Sequence, residues 1–510
     1  MIATMRRQTA LLFASLLALA GLAVTPGAGA HADETRLQMV VSLTANAGPD
    51  ALSGVNVVSS FPEFGSVVVN GTANAINSLR GRAGVRAVVP DYTLRPTTND
   101  KNKPGKSVYA SEGLGGRAGK PRAGRGVTVA VIDTGISDTP ALNRASGRLH
   151  DGVDTSGEAS FVDGYGHGTF MANIVAGGPT PGSRGNALGV APGADVVNVK
   201  VADSTGETSL SEVLAGMSWV HFFADRIDVV EFAFSAPLVE GTPYGPDPLT
   251  DAVERLRAAG LAVVVSSGNE TARLGDPGFD PYIITVGAAD TRTHKVKVAD
   301  FSGYGNVYGV TKPDVVASGV GVLSLMPANA IVAQENPQSL QPNGLYRGSG
   351  TSQASAVTAG VAALFLQEFP WATPSEVKTS LRAAATRVRG EGAGEGLVDV
   401  PHRLWKANGR GRNNPGTGED DLDVEAWLAN SWLQGGALED EASAWGAVRW
   451  ADEDWDASTF DALRWDAVRW EAVRWGAVRW GALRWEARAW SDTDTWTARA
   501  WSAAQWSKED

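Results

Sequence analysis

Between residues 127 and 385, short apolar runs alternate with longer stretches whose apolar positions return every three or four residues. The runs 127–132, 196–201, 229–234, 262–265 and 283–286 are rich in Val, Ile and Ala with few polar interruptions, the pattern of strands buried on both faces. The stretches 210–223, 250–259, 352–369 and 374–385 read as helices. The last opens with Thr373-Pro374-Ser375-Glu376, a capping box with proline at the first helical position. Alternating strands and helices predict an α/β fold, a parallel sheet with helices on both faces. About 270 residues of such sequence can bury one sizeable core.

The pattern changes on either side. Residues 37–43, 67–69 and 85–91 read as strands around a helix at 73–79, a small α+β unit. Residues 97–125 are rich in Gly, Lys, Pro and Asn and read as an exposed linker. At the N-terminus Arg6-Arg7 precede an apolar run, 11–24, and the small-residue sites Ala28-Gly29-Ala30 and Ala30-His31-Ala32 follow. That is the layout of a secretory signal peptide, and the run is too short for a stable membrane span. These shifts predict a signal peptide at 1–32, the α+β unit at 33–97, a linker at 98–125 and the α/β domain at 126–405. A polar linker at 406–424 and a tail at 425–510 complete the chain.

The tail carries 14 of the 17 tryptophans and repeats with period five, as in Asp-Ala-Leu-Arg-Trp465, Asp-Ala-Val-Arg-Trp470 and Glu-Ala-Val-Arg-Trp475. Five residues fit neither a helical face nor strand alternation. A coil with five residues per side would align the rings, each beside an Arg it can stack on. The alternatives are a module presenting indoles to glycans or the cell envelope, a sorting tail removed on export, and a low-complexity extension without function.

Composition narrows the chemistry. The chain has no cysteine, so neither a disulfide framework nor a lipid-anchor cysteine is available, and the formal net charge of −12 disfavours nucleic acid as a partner. No metal-ligand spacing is evident, and the metal site is unknown. Three segments stand out: Val131-Ile132-Asp133-Thr134-Gly135, Gly166-His167-Gly168-Thr169 and Gly350-Thr351-Ser352-Gln353-Ala354. Each residue alone is more often structural, an Asp or Ser capping a helix or a His in a loop. Together they supply the acid, base and nucleophile of a serine hydrolase, in one of three known chain orders. Asn269, just past the run 261–265, is the candidate oxyanion donor, with the backbone N–H of Ser352 as the second. Of the six histidines only His167 lies between glycines; His150, beside Asp151, reads as a surface loop residue.

With five further segments in order, among them Gly189-Val190-Ala191-Pro192-Gly193, Ile284-Thr285-Val286-Gly287 and Lys312-Pro313-Asp314-Val315, residues 127–400 resemble the catalytic domain of the subtilisin family of serine endopeptidases. The resemblance implies peptide-bond hydrolysis through Asp133, His167 and Ser352. It also implies that the unit at 33–97 is a propeptide, an intramolecular inhibitor and folding aid whose last strand fills the active site. Polypeptides are the implied substrates, structural calcium is an implied ion, and no cofactor is needed for the chemistry. Substrate-binding walls fall on Ala233, Phe234 and Ser235 and on Ser266, Ser267, Gly268 and Gly275. The family usually has Ser-Leu-Gly where this chain has Ala233-Phe234-Ser235, so Phe234 is expected to narrow a pocket and Ser235 to crowd the substrate backbone. Across the wall segments Asp276 is the one charge apart from Asp228 and Glu231 at the strand's start, which by analogy favours an apolar or aromatic residue before the cut bond. Gln353 and Ala356 replace a usual Met and Pro without removing chemistry. The expected product is a secreted, self-processing endopeptidase. The competing reading is a weakly active or inactive protease fold that serves as a scaffold for the tail.

Overall fold

A computed structural model describes residues 36–399 apart from 46, 97–106, 115–117, 181, 182, 184, 237–246 and 308. The expected signal peptide, the linker at 406–424 and the Trp-rich tail lie outside the described residues. The linker expected at 98–125 is described at 107–114 and 118–125 and departs from expectation: Val108, Ala110 and Ala123 are buried in the core, and Val108–Tyr109 pair in parallel with 322–323, so this stretch is packed rather than exposed. The described residues from Leu37 onward fall in one compact unit, and Arg36 is the one described residue of the unit before it.

The N-terminal part consists of β1 (Arg36–Leu43), β2 (Asn56–Phe61), β3 (Ser66–Thr72), α1 (Ala73–Leu79), β4 (Val85–Pro90) and β5 (Thr93–Pro96). The first four strands form one sheet in the order β2-β3-β1-β4. Thr72 caps α1 by accepting from Ala75 N. β2, Asn-Val-Val-Ser-Ser-Phe, is exposed at five of its six positions, and its sequence shows neither an apolar run nor an alternation. The face of this sheet away from α1 adds Val40, Phe61, Val68, Ala87 and Val89, and the turn between β2 and β3 adds Phe64, to a core shared with the larger domain.

That domain contains β6 (Thr128–Asp133), β7 (Leu149–Asp154), α2 (His167–Ala176), β8 (Asp195–Lys200), β9 (Thr208–Ser209) and α3 (Leu210–Phe222). It continues through β10 (Val229–Phe232), β11 (Phe234–Ser235), α4 (Pro248–Ala258), β12 (Ala262–Ser266), β13 (Ile284–Asp290), β14 (Lys297–Val298) and β15 (Val315–Ser318). Two helices close it, α5 (Thr351–Glu368) and α6 (Pro374–Ala384). Eight strands make the central sheet, in the order β14-β13-β12-β10-β6-β8-β7 with β15 also paired to β13. All its pairings are parallel except that of β14. Every residue of β6 is buried, as a central strand covered on both faces requires. Val129 and Val131 pack toward α2, α5 and α6, whereas Ala130 and Ile132 face α3 and α4.

The expected helices start and stop within two residues of their observed ends. The capping box forms: Thr373 Oγ1 accepts from Glu376 N at 3.3 Å, and Glu376 Oε2 accepts from Thr373 N at 2.7 Å. His150 departs from expectation, lying half-buried on β7 rather than in a surface loop. Its ring is pushed toward the neutral form by burial, which Asp151 only partly opposes. Among the described residues no helix is long and apolar enough to cross a membrane.

Candidate active site

In a parallel sheet the chain leaves every strand at the same edge, and that edge gathers the polar residues. Asp133 is the last residue of β6, His167 the first of α2 and Ser352 the second of α5, so all three stand where backbone ends meet. All are buried, with His167 the most accessible at 3%. His167 Nδ1 lies 2.9 and 2.8 Å from Asp133 Oδ1 and Oδ2, and Thr134 N donates to Oδ1 at 2.7 Å. With the carboxylate accepting, Nδ1 carries the hydrogen and Nε2 keeps the lone pair. Nε2 is buried and has no hydrogen-bond partner among the described residues. Ser352 Oγ donates to Ala233 O at 3.3 Å, and no bond from it to Nε2 is observed.

The glycines around His167 are steric requirements. Gly166 has φ +105°, a left-handed conformation, and a Cβ on Gly168 would run into Gly135 O and come within 3.0 Å of Asp133 Cβ. Asp163, which sequence reasoning passed over, organises this turn. Its Oδ1 accepts from Gly166 N at 2.6 Å and Thr134 Oγ1 at 2.8 Å, and its Oδ2 from Thr169 N at 2.8 Å and Thr169 Oγ1 at 2.7 Å. Thr134 Oγ1 in turn accepts from Gly168 N at 2.9 Å. Burial pushes the Asp163 carboxyl up, while these donors pull it down. The signal in the sequence is an acidic residue four positions before a Gly-flanked His, too short a pattern to read unaided.

Asn269 follows β12. Its Oδ1 accepts from Thr351 N and Thr351 Oγ1, both at 3.0 Å, which turns Nδ2 the other way. Nδ2 is buried and without a hydrogen-bond partner among the described residues, which leaves a donor free for an oxyanion. The wall residues converge from two strands. Ser266 ends β12, Ser267 O accepts from Gly275 N at 3.0 Å, and Gly268 adopts φ +93°. Phe234 is fully buried and stacks on Phe232 at 5.7 Å. Ser235 does not crowd the cleft as expected: β11 still pairs with an extended segment, and the hydroxyl turns aside into the space that a Cβ on Gly275 would need.

The segment so paired is β5. It lies between β9 and β11, antiparallel to both, with Thr93 and Leu94 opposite Ser209 and Thr208, and Arg95 and Pro96 opposite Ser235 and Phe234. Leu94 is fully buried in the same core cluster as Phe234 and Leu210. Tyr92 OH donates to Asp276 Oδ2 at 2.8 Å, with Asp247 Oδ2 at 3.2 Å. Burial foremost, then the Asp247 charge, lifts the Asp276 carboxyl well above its usual range. Asp276 is thus taken up by Tyr92. Arg86 of β4 pairs with buried Asp251 of α4. Among the described residues no group of three or more His, Asp or Glu is placed to hold a metal ion, so no calcium ligands are assigned.

Residues 124–408 match the subtilase family, peptidase S8. The chain belongs to the subtilase family. Serine protease AprX of Bacillus subtilis strain 168 is 35% identical over 288 residues, covering 54% of this chain and 64% of AprX. Subtilisin DY of Bacillus licheniformis is 32% identical over 285 residues, covering 54% of this chain and 90% of that protein. Among solved structures, fervidolysin from Fervidobacterium pennivorans, a keratinolytic enzyme related to subtilisin, superposes with a TM-score of 0.57 at 23% identity. That match covers 76% of this chain and 63% of fervidolysin, and it shows a subtilisin-like fold.

Proposed function

We propose that this subtilase is a serine endopeptidase made as a zymogen, with Asp133, His167 and Ser352 as its triad, Asn269 as oxyanion donor and residues 33–97 as its inhibitory propeptide. The observation that carries the reading is the meeting of an Asp–His pair, a helix-borne Ser and an unpartnered amide at one sheet edge, with β5 seated as an extended strand beside them. The reaction requires Ser352 Oγ to leave the Ala233 carbonyl and bond His167 Nε2. Nε2 then takes the hydroxyl proton as Oγ attacks the substrate carbonyl, while Asp133 holds the imidazole through Nδ1. The oxyanion accepts from Asn269 Nδ2 and Ser352 N. Collapse returns the proton to the leaving amine, and water releases the acyl group by the same steps in reverse.

β5 occupies the place of a polypeptide substrate, which accounts for inhibition. The register ends at Pro96 opposite Phe234, one residue short of Ala233, whose carbonyl lies beside Ser352 Oγ. The bond expected to be cut first is therefore Thr97–Thr98. Export is supported by Arg6-Arg7 and the apolar run after them, and contact with glycans or the cell envelope by the tail's periodic tryptophans.

Intact mass and N-terminal sequencing of wild type beside Ser352→Ala test the proposal. A new N-terminus at Thr98 in wild type alone is the expected result, with fluorophosphonate labelling that Ser352→Ala abolishes. A folded, propeptide-free wild type that does not label would point instead to an inactive scaffold.

A further inference from the structure

Glu231 breaks the apolar pattern of the strand it occupies. β10 reads Val-Val-Glu-Phe and is buried at all four positions. Glu231 stands opposite Val131 of β6 on one side and Val264 of β12 on the other. Side chains alternate along a strand, so Glu231 shares the face of Val131 and hence of Asp133, two residues further on, toward α2 and α5. A carboxylic acid between two valines in the middle of a sheet is costly unless something there uses it.

What it touches is the nucleophile's helix. Ser355 Oγ of α5 lies 2.6 Å from Glu231 Oε1 and 2.8 Å from the carbonyl oxygen of Ser352. A hydroxyl has one hydrogen, and a peptide carbonyl can only accept. Both contacts are hydrogen bonds at once only if the carboxyl donates to Ser355 Oγ and Ser355 donates to Ser352 O. Glu231 Oε2 is buried without a partner among the described residues, which a neutral acid tolerates as a lone carbonyl oxygen but a carboxylate does not. Among the described residues, the groups that act on Glu231 supply no cation. They are Asp133 from β6, with His167 of α2 bonded to it, and Ser355 from α5, while β6 and β12 present Val131 and Val264 alongside. Burial foremost and then the Asp133 charge hold the carboxyl well above its usual range, and Ser355 opposes them weakly.

We propose that Glu231 is a positioning residue that works in its neutral form, donating to Ser355, which is thereby committed to the Ser352 carbonyl and fixes the first turn of α5 against the catalytic edge. When Glu231 ionises, the single Ser355 hydrogen goes to the charged oxygen, the Ser352 carbonyl loses its clamp, and a second negative charge stands beside Asp133. The inference rests on the endopeptidase reading of the site.

The test compares wild type, Glu231→Gln and Glu231→Leu. Gln keeps a donor for Ser355 but cannot titrate, and Leu has neither property. Glu231→Leu should lower kcat about 10-fold with KM within about twofold, as one hydrogen bond on the nucleophile's turn predicts. Glu231→Gln should restore most of that loss and retain activity on the alkaline side where wild-type kcat declines. A Glu231→Gln enzyme as slow as Glu231→Leu, or one with the wild-type alkaline decline, overturns the inference. If Glu231→Leu does not fold, the pH profiles of wild type and Glu231→Gln decide alone. Infrared difference spectra add a readout independent of turnover: a protonated-carboxyl band present in wild type near neutral pH and missing in Glu231→Gln is expected, and its absence refutes the neutral form. A wild type that cleaves no peptide and takes no fluorophosphonate label removes the endopeptidase reading and the positioning role with it. An active wild type without the rescue removes the inference alone.

Discussion

Asp163 offers the sharpest test of how the fold aims His167. Replacing it with Ala removes the acceptor of four donors, the Gly166 and Thr169 amides and the Thr134 and Thr169 hydroxyls. The hydroxyls can rotate to other acceptors, but the two amides are fixed by the turn and remain buried. Each orphaned amide costs about 1–3 kcal/mol. Asp163 itself is held above its usual range by burial, so its removal also relieves a desolvation cost. The balance for Asp163→Ala is a loss of roughly 2–4 kcal/mol, and for Asp163→Asn, which keeps one carbonyl oxygen, about 1–2 kcal/mol. Activity should fall further than stability alone explains, because the bonds to Gly166 and Thr169 flank His167, and a displacement of about 1 Å costs on the order of 100-fold. Urea midpoints in a Ser352→Ala background, which prevents self-digestion, give the stability term, and kcat/KM in the active background gives the other. Asp163→Ala within about 0.5 kcal/mol of its parent and with unchanged kcat would refute the reasoning.

Three further outcomes follow from other sites. Lys312, buried against Ile283 O, Thr285 Oγ1 and Asp314, is driven by burial from 10.5 to about 7, with Asp314 opposing. The unfolded chain then binds the extra proton between those values, so stability should rise with pH from about 7 to 10.5, by at most roughly 5 kcal/mol, and be lost as pH falls back. Urea midpoints across that window should lose the slope in Lys312→Met, and an unchanged slope would count against it. Tyr92→Phe removes the donor between Asp276 and Asp247, so the proposed propeptide should be held about 10-fold more weakly and the lag before activity shortened; an unaltered lag contradicts this. Gly168→Ala puts a methyl into Gly135 O and Asp133, and should abolish activity in whatever protein folds, measured by fluorophosphonate labelling beside circular dichroism.

Much of the fold was legible because its signals are local. The strands at 127–132 and 262–265 are apolar apart from Thr128 since a central parallel strand has no wet face, and the helix at 374–384 announces itself through a cap four residues long. The proposed triad residues could be named because each sits in a short glycine-marked segment. β2 and β7 were missed for the converse reason: one is almost wholly exposed and the other carries His150, Asp151 and Asp154, so neither shows a run. Asp163 and Glu231 were invisible as actors because what defines them is contact across the chain; Glu231 and Ser355 stand 124 positions apart.

Spacing and composition by themselves determined the α/β class, the candidates for acid, base and nucleophile with their chain order, and the small unit ahead of the larger domain, since each depends on neighbours within a turn or a strand. Only the tertiary structure decided that β5 lies between β9 and β11, that Ser235 folds aside onto Gly275, that Tyr92 takes up Asp276, and that a buried glutamic acid reaches the nucleophile's turn through one hydroxyl. Those facts depend on which distant segments the sheet brings to one edge, and no periodicity along the chain carries that information.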